Sequence, residues 1–262
     1  QIINSDAEVV NKLGSNAMGN YLYVYKGVYA TDEDVPVNPL TGERLRMGGN
    51  TSTQAYFKAG DPIWVDVNGD YIIDEKDKVI VGNSQPRMTG GISINLRYKA
   101  FSINTNCSFT LRRDIINKAL ADRFRAYGTP VAGKVNLTGS GALTPIEAYN
   151  FWTEDNIYAQ YPNPFDYTRS SIIQPFRYDQ TLFMEDGSYF KINGISVAYT
   201  IPKKMLDFFR ISRCQLNFSM NNIYTFSKYS GINPENVNNL GYDTSGGYPN
   251  GRTVTFGVSM DF

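Results

Sequence analysis

Arg252-Thr-Val-Thr-Phe-Gly-Val-Ser-Met-Asp-Phe262 alternates without a break. Val254, Phe256, Val258, Met260 and Phe262 fall on one face, and Thr253, Thr255, Gly257, Ser259 and Asp261 on the other. A period of two describes a strand with one apolar and one polar side. Working back along the chain, the same pattern recurs. Met88 to Tyr98 sets Ile92, Ile94, Leu96 and Tyr98 against Ser93, Asn95 and Arg97. Past a tight turn at Lys99-Ala100, Phe101, Ile103, Thr105, Cys107, Phe109 and Leu111 alternate with Ser102, Asn104, Asn106, Ser108 and Thr110. Arg213 to Asn221 places Cys214, Leu216, Phe218 and Met220 opposite Gln215, Asn217 and Ser219. In Tyr189 to Ile201 the apolar parity switches around Asn193-Gly194, which predicts a bulge. A sixth run, Tyr21 to Ala30, is apolar on both faces, and its sides cannot be assigned from the pattern.

Alternation alone also suits a soluble sandwich, but three features favour an antiparallel transmembrane β-barrel. The polar faces carry Asn, Ser, Thr and Gln with few charges, as suits a wet lumen. The runs reach about ten residues, the length that crosses a bilayer when tilted, whereas sandwich strands average nearer six. Short links at Lys99-Ala100 and Pro202 to Ser212 alternate with long ones at Thr31 to Arg87, Arg112 to Ser188 and Ser227 to Gly251. Short periplasmic turns and long external loops make that alternation, which puts residues 31–87 and 112–188 outside the cell. About six strands cannot close a barrel of useful width, and an open edge in lipid is prohibitively costly. Residues 1–262 therefore read as the C-terminal part of a larger barrel.

The composition agrees. The 262 residues include 19 Tyr and 15 Phe, and 25 basic residues balance 25 acidic ones. Without a basic excess there is no case for nucleic acid. The mean hydropathy of −0.34 hides no apolar run near the ~20 residues that a membrane helix needs, and barrel strands average to such neutral values. Cys107 and Cys214 occupy apolar positions and read as small hydrophobes in preference to a disulfide. The chain contains no histidine, and Gln1 reads as the start of a piece of a longer or processed product.

The sharpest chemical motif is Asp66-Val-Asn68-Gly-Asp70-Tyr-Ile72-Ile-Asp74-Glu-Lys-Asp77. Side-chain oxygens at positions 1, 3, 5, 9 and 12, with a backbone carbonyl at position 7, have the spacing of a calcium loop. Asp66, Asn68, Asp70, the Ile72 carbonyl, Asp74 and Asp77 are thus the candidate ligands of a structural Ca2+. The bland alternative is an acidic turn whose Asn and Asp cap their own backbone. Phe151-Trp-Thr-Glu-Asp155 and Tyr158-Ala-Gln-Tyr-Pro-Asn-Pro-Phe165 read first as packing for a long loop and second as ligand contacts. Short helical turns are expected at Ile146 to Trp152 and Lys203 to Phe209. The pairs Glu154/Asp155 and Glu185/Asp186 read as solvated charges, because no nucleophile or base stands near them in sequence. No enzyme is indicated.

Several runs resemble the SusC/RagA-type TonB-linked outer-membrane transporters of Bacteroidota. They are the Asp66-to-Asp77 loop followed by Val81-Gly-Asn-Ser-Gln-Pro86 and the hairpin from Met88, then Phe151-Trp-Thr with Asn156, Ala159 and Tyr161-Pro162. Ser188-Tyr-Phe-Lys-Ile-Asn-Gly-Ile-Ser-Val-Ala-Tyr-Thr-Ile-Pro202, Asn222-Ile-Tyr-Thr-Phe-Ser-Lys-Tyr-Ser-Gly-Ile-Asn-Pro-Glu235 and the terminal strand complete the series. Tyr71 departs from it, standing where the family has glycine. The resemblance implies a barrel of about 22 strands with an N-terminal plug. It further implies coupling to TonB through absent N-terminal parts, a SusD-like surface lipoprotein as lid, and import of an oligosaccharide or peptide. Two other readings stay open: a passive outer-membrane pore, and a soluble calcium-binding β-rich adhesion or carbohydrate-binding module.

Overall fold

In a computed structural model, residues 9–10, 19–49, 52–127, 130–131, 134–135, 148–207, 211–238, 240–243 and 250–262 are described. The fold is all-β in character, and the chain divides into two compact units.

One unit is a five-stranded antiparallel sheet, drawing on Pro86–Asp114, Asp186–Glu235 and Gly247–Phe262. Its strands are β1 (Met88–Tyr98), β2 (Phe101–Leu111), β3 (Tyr189–Thr200), β4 (Arg213–Ser227) and β5 (Thr253–Asp261). Each pairs with the next, so the sheet is an up-and-down meander. The first link is a two-residue turn with Lys99 at φ 52°. The link from β3 to β4 carries one short helix, α2 (Lys203–Leu206), as expected; Phe208 and Phe209 of that expectation lie outside the described residues.

The register converts five separate alternations into continuous rows. Leu96, Ile103, Val197, Phe218 and Phe256 are successive cross-strand neighbours. Tyr98, Phe101, Tyr199, Leu216 and Val258 form the row beside the first turn. On the opposite face Asn95, Asn104, Ser196, Ser219 and Thr255 form a polar row, in which the Asn104 amide donates to Asn95 Oδ1. The expected bulge is present: the pairing of β3 slips between Ile192 and Gly194 on both of its sides. Without that slip Phe190 and Ile192 would point to the polar face, because a shift of one residue inverts a strand. With it, Phe190 stands opposite both Phe109 and Phe226. β4 absorbs the irregularity at Asn222, which takes φ 54°, a conformation asparagine tolerates.

The apolar face is uncovered. Along the central row Leu96, Ile103, Phe218 and Phe256 are 39–68% exposed, and only Val197, in the middle strand, is half-buried. Among the described residues β1 pairs only with β2 and β5 only with β4, so both outer edges present unpaired backbone. No described helix is long and apolar enough to cross a membrane, which says nothing of crossing by strands.

The other unit is assembled from Gln1–Gln85, Ile115–Glu185 and Asn236–Gly246, which take in most of the three long connections together with residues 1–30. The sixth run resides here and is no part of the sheet. It divides into Gly19–Tyr23, paired with Lys78–Val81, and Tyr25–Val28, paired with Pro62–Trp64. Leu22 and Tyr23 are both buried, which explains why this run read as apolar on both sides.

Two cores hold the unit. In the first, α1 (Lys118–Tyr127) buries Leu120, Ala121 and Phe124, and Asn117 caps its start by accepting the Leu120 N–H at 3.0 Å. The Phe124 ring lies 4.8, 4.9, 5.1 and 5.4 Å from Tyr149, Phe151, Tyr161 and Phe176. The second core gathers Tyr23, Tyr29, Leu45, Phe57, Trp64, Ile73 and Ile173. A buried Arg169 joins its far segments, pairing with Asp61 and donating to the Gln54 carbonyl at 2.9 Å. Trp64 Nε1 donates to Gln180 Oε1 at 2.8 Å, and Gln180 in turn donates to the Pro175 and Arg177 carbonyls at 2.8 Å. Such pairing matters because a buried polar group without a partner costs about 1–3 kcal/mol.

Candidate functional site

The Asp66–Asp77 loop belongs to the second unit, and its two ends are tied down. The short strand Ile72–Ile73 lies parallel to Arg46–Met47, with Arg46 N–H donating to Tyr71 O at 3.3 Å and Gly48 N–H to Ile73 O at 2.8 Å. Successive carbonyls in a strand point to opposite sides, so the Ile72 carbonyl turns away from that partner. Tyr71 adopts φ 62°, the left-handed conformation for which glycine is the ordinary choice at the sixth position of such loops. The backbone thus keeps the turn that the motif requires while a tyrosine bears its cost. The Tyr71 ring offsets part of that cost by packing against the second core.

The side-chain oxygens are turned onto the loop's own backbone. Asp66 accepts the Gly69 and Tyr71 N–H groups at 2.7 and 2.8 Å. Asn68 accepts from Asp70 at 3.0 Å, and Asp70 accepts from Ile72 at 2.9 Å. Asp74 accepts from Lys76 at 2.8 Å. Asp77 is buried and accepts from Val67 at 2.9 Å and Asp74 at 2.8 Å. Burial pushes the Asp77 carboxyl above its ordinary range against those hydrogen bonds, and the Asp66 charge pushes the same way. Among the described residues, no group of three or more His, Cys, Asp or Glu side chains converges as a metal centre. The structure therefore brings the six candidates into one turn with the right backbone, without gathering their oxygens on a point.

Phe151 is buried in the first core and Trp152 is nearly so, its Nε1 donating to the Ala30 carbonyl at 3.3 Å. Tyr161 joins the same core, and Tyr158 is exposed. Of the short helix expected over 146–152, Ala148 is in a 3-10 turn, residues 146 and 147 lie outside the described set, and Phe151 has already left the turn to bridge to Tyr161. Glu154 and Asp155 are exposed, and Glu185 accepts from the Asn117 amide at 2.9 Å. Asp186 is held below the usual carboxylate range by its hydrogen bonds from Ser188. Both cysteines are free.

Sequence reasoning missed two features. One is α1, whose Leu120-Ala121-Phe124 spacing behind a capping Asn117 was a readable signal. The other is a cleft of about 270 Å3 lined by Arg125 of α1 and by residues of the segment 163–176, which no local pattern announces.

No family model matches the chain. It is 28% identical over 257 residues to the TonB-dependent receptor P3 of Formosa agariphila, with 92% of this chain aligned to 22% of that protein. It is 25% identical to the TonB-dependent receptor P39 of the same bacterium, over 94% of this chain and 25% of the relative. The TonB-dependent receptor SusC of Bacteroides thetaiotaomicron is 23% identical across 95% of this chain and 24% of its own length. Among solved structures, the RagAB peptide importer in its open-open state superposes with a TM-score of 0.67 at 17% identity, over 99% of this chain and 24% of that one. That likeness is one of fold. The chain spans about a quarter of the length of the relatives it matches.

Proposed function

We propose that this chain, a relative of the SusC-type TonB-dependent receptors, forms the C-terminal part of an outer-membrane barrel that imports a nutrient with energy from TonB. The observation that carries the reading is the uncovered apolar row from Leu96 to Phe256, backed by a polar row on the other face. A sheet so divided is stable where lipid bathes one side and water the other. Aromatic residues mark both ends of the apolar band: Tyr98, Phe101 and Tyr199 near the first turn, and Phe109, Phe190 and Phe226 at the far end. From Phe101 to Phe109 the strand climbs about 20 Å along a barrel axis at the usual rise and tilt, close to the ~25 Å apolar band of such proteins. The free edges of β1 and β5 call for further strands, since lipid leaves open edges unsatisfied. A soluble adhesion module would have to cover these rows.

In this reading the polar face lines the lumen, and the long segments 31–87 and 112–188 lie outside the cell, a reading supported by the alternation of long and short links. A SusD-like lipoprotein acts there as lid, and the cargo is an oligosaccharide or a peptide. The test is uptake by the full-length receptor with TonB present and deleted. Import is expected only with TonB; equal flux without it would favour the passive pore. The Asp66–Asp77 loop is proposed to take a structural Ca2+, on the support of its ligand spacing and the left-handed turn at Tyr71. Binding would require Asp66, Asp70 and Asp77 to exchange backbone N–H partners for the cation. Chelation should lower the melting temperature of the second unit, and a transition unmoved by chelator and by added Ca2+ would remove the site.

A further inference from the structure

The cleft in the second unit shares no lining residue with the Asp66–Asp77 loop. Its floor is Phe176, whose ring is otherwise locked in the first core, and its walls include Pro164 and Pro175. Two prolines and a packed ring leave the walls little freedom to collapse. Gln174 stands at the rim with φ 54°. For a side chain other than glycine or asparagine this conformation is strained, and strain of that kind persists where the surroundings impose it, often at ligand sites. Its backbone is pinned by Gln174 N–H donating to Arg169 O and Arg177 N–H donating to Gln174 O, both at 2.9 Å. Its amide makes only a long contact, 3.4 Å, to the Ser171 carbonyl, and the side chain stays exposed.

The other polar groups are oriented as well. Asn163 is fixed by its Oδ1, which accepts the Phe165 N–H at 2.9 Å, and this leaves its Nδ2 without an acceptor among the described residues. Asp166 is paired with Lys58 at 2.5 Å and accepts from Thr168, and these bonds outweigh its burial to hold the carboxyl low. Arg125 lies over the Tyr178 ring and 3.6 Å from Asp122. Each cation thus has its anion, so the cleft offers no surplus charge to an ionic ligand. Nor does it offer a strand edge, because the segment 163–176 is built of turns and a single 3-10 turn. Peptide capture by strand addition needs such an edge.

We propose that this cleft holds a neutral, hydroxyl-rich ligand, one sugar unit of an oligosaccharide cargo, with the Gln174 and Asn163 amides and the Asp166 carboxylate bonding its hydroxyls. The inference rests on the import reading and decides between the two cargo classes left open there. Planar amides and carboxylates suit vicinal hydroxyls because each presents two polar atoms in a fixed fork. The geometry also supplies an unusual control. Gln174→Gly removes the amide while granting the backbone the conformation it already has, so binding and folding should move in opposite directions.

The experiment uses the full-length receptor in detergent, with fluorescent neutral tetrasaccharides of glucose, mannose, galactose and xylose and a parallel set of tetrapeptides as probes. At least one neutral tetrasaccharide is expected to bind, with affinity falling tenfold or more in Gln174→Gly and in Asn163→Ala. The melting temperature of Gln174→Gly is expected to be equal or higher. Binding of peptides without sugars, binding of no sugar in the panel, or unchanged affinity in Gln174→Gly would overturn the proposal. TonB-dependent uptake, measured on the same variants, separates the two readings. Uptake that persists while the sugars fail to bind removes this inference alone, whereas flux independent of TonB removes the import reading itself.

Discussion

The two units of this chain use the same β-rich vocabulary to opposite ends. The five-stranded sheet sends its large apolar residues outward in unbroken rows and keeps its polar residues on the other face. The loop-built unit turns its aromatics inward, around Phe124 and around Trp64, and satisfies its buried charges within the fold. The difference follows from solvent. A wall bathed in lipid needs no core of its own, because lipid tails do for Phe256 what Phe176 and Phe151 do for Phe124. A unit in water must bury those residues against each other to offset the entropy of ordering long connections.

That contrast can be broken or sharpened by mutation. The largest effect is expected in the inward-facing core: Phe124→Ala should destabilise the second unit by about 3–5 kcal/mol, the usual cost of emptying a buried ring site. Tryptophan fluorescence of Trp64 and Trp152 should report the earlier melting, while the sheet's heat-dependent gel mobility stays as before. Comparable loss in both readouts would show that the units do not melt separately. Next comes a pair on β5. Phe256→Arg, in the middle of the outward row, should cost about 2–4 kcal/mol, whereas Thr255→Arg on the polar face should be tolerated. Equal losses at the two sites would contradict the assignment of faces.

Acid should separate the units further. Burial alone would raise the Asp179 carboxyl, but its bonds to Arg177 at 2.5 and 2.6 Å and to Lys78 at 2.8 Å hold it below the ordinary range. A depressed carboxylate stabilises the fold fully above its unfolded value, about 3.9, and loses that contribution as pH falls through the lower folded value. The second unit should therefore weaken below about pH 4, through the loss of these pairs. The Asp179→Asn variant should show a shallower acid loss, and an unchanged acid profile would mean that Asp179 does not carry it. The smallest effect belongs to the first turn of the sheet. Lys99→Gly frees a left-handed position and should change stability by no more than about 1 kcal/mol, because relief of strain is offset by the entropy of glycine. A larger loss would mean that the Lys99 charge, 5.2 Å from the Tyr98 ring, anchors that end of the sheet.

How far each region could be read from sequence follows from the same contrast. In the sheet, the polarity of one residue already states its side, so the strands and the bulge near Gly194 were legible from local pattern alone. The bulge announced itself because Phe190 and Ile192 would otherwise face water. In the loop-built unit, neighbours in space are far apart in sequence: Trp64 bonds Gln180, and Arg169 reaches back to Asp61. Nothing local records such pairings. The run Tyr21 to Ala30 read as a sheet strand for this reason, its two buried faces being covered by segments that only tertiary folding brings near. The Asp66–Asp77 loop lies between these cases. Its spacing was plain in the sequence, and the left-handed Tyr71 agrees with it, while the direction of each carboxylate depends on whether a cation or the backbone is the partner.

The most direct test of the central claim is a cysteine scan of residues 254–260 in the full-length receptor, carrying Cys107→Ala and Cys214→Ala, labelled in outer membranes and read with a lipid-phase quencher. The labels at Val254, Phe256, Val258 and Met260 should be quenched from the lipid, and those at Thr255, Gly257 and Ser259 should be reached from water. A quenching profile without that period of two would contradict a wall that divides lipid from lumen.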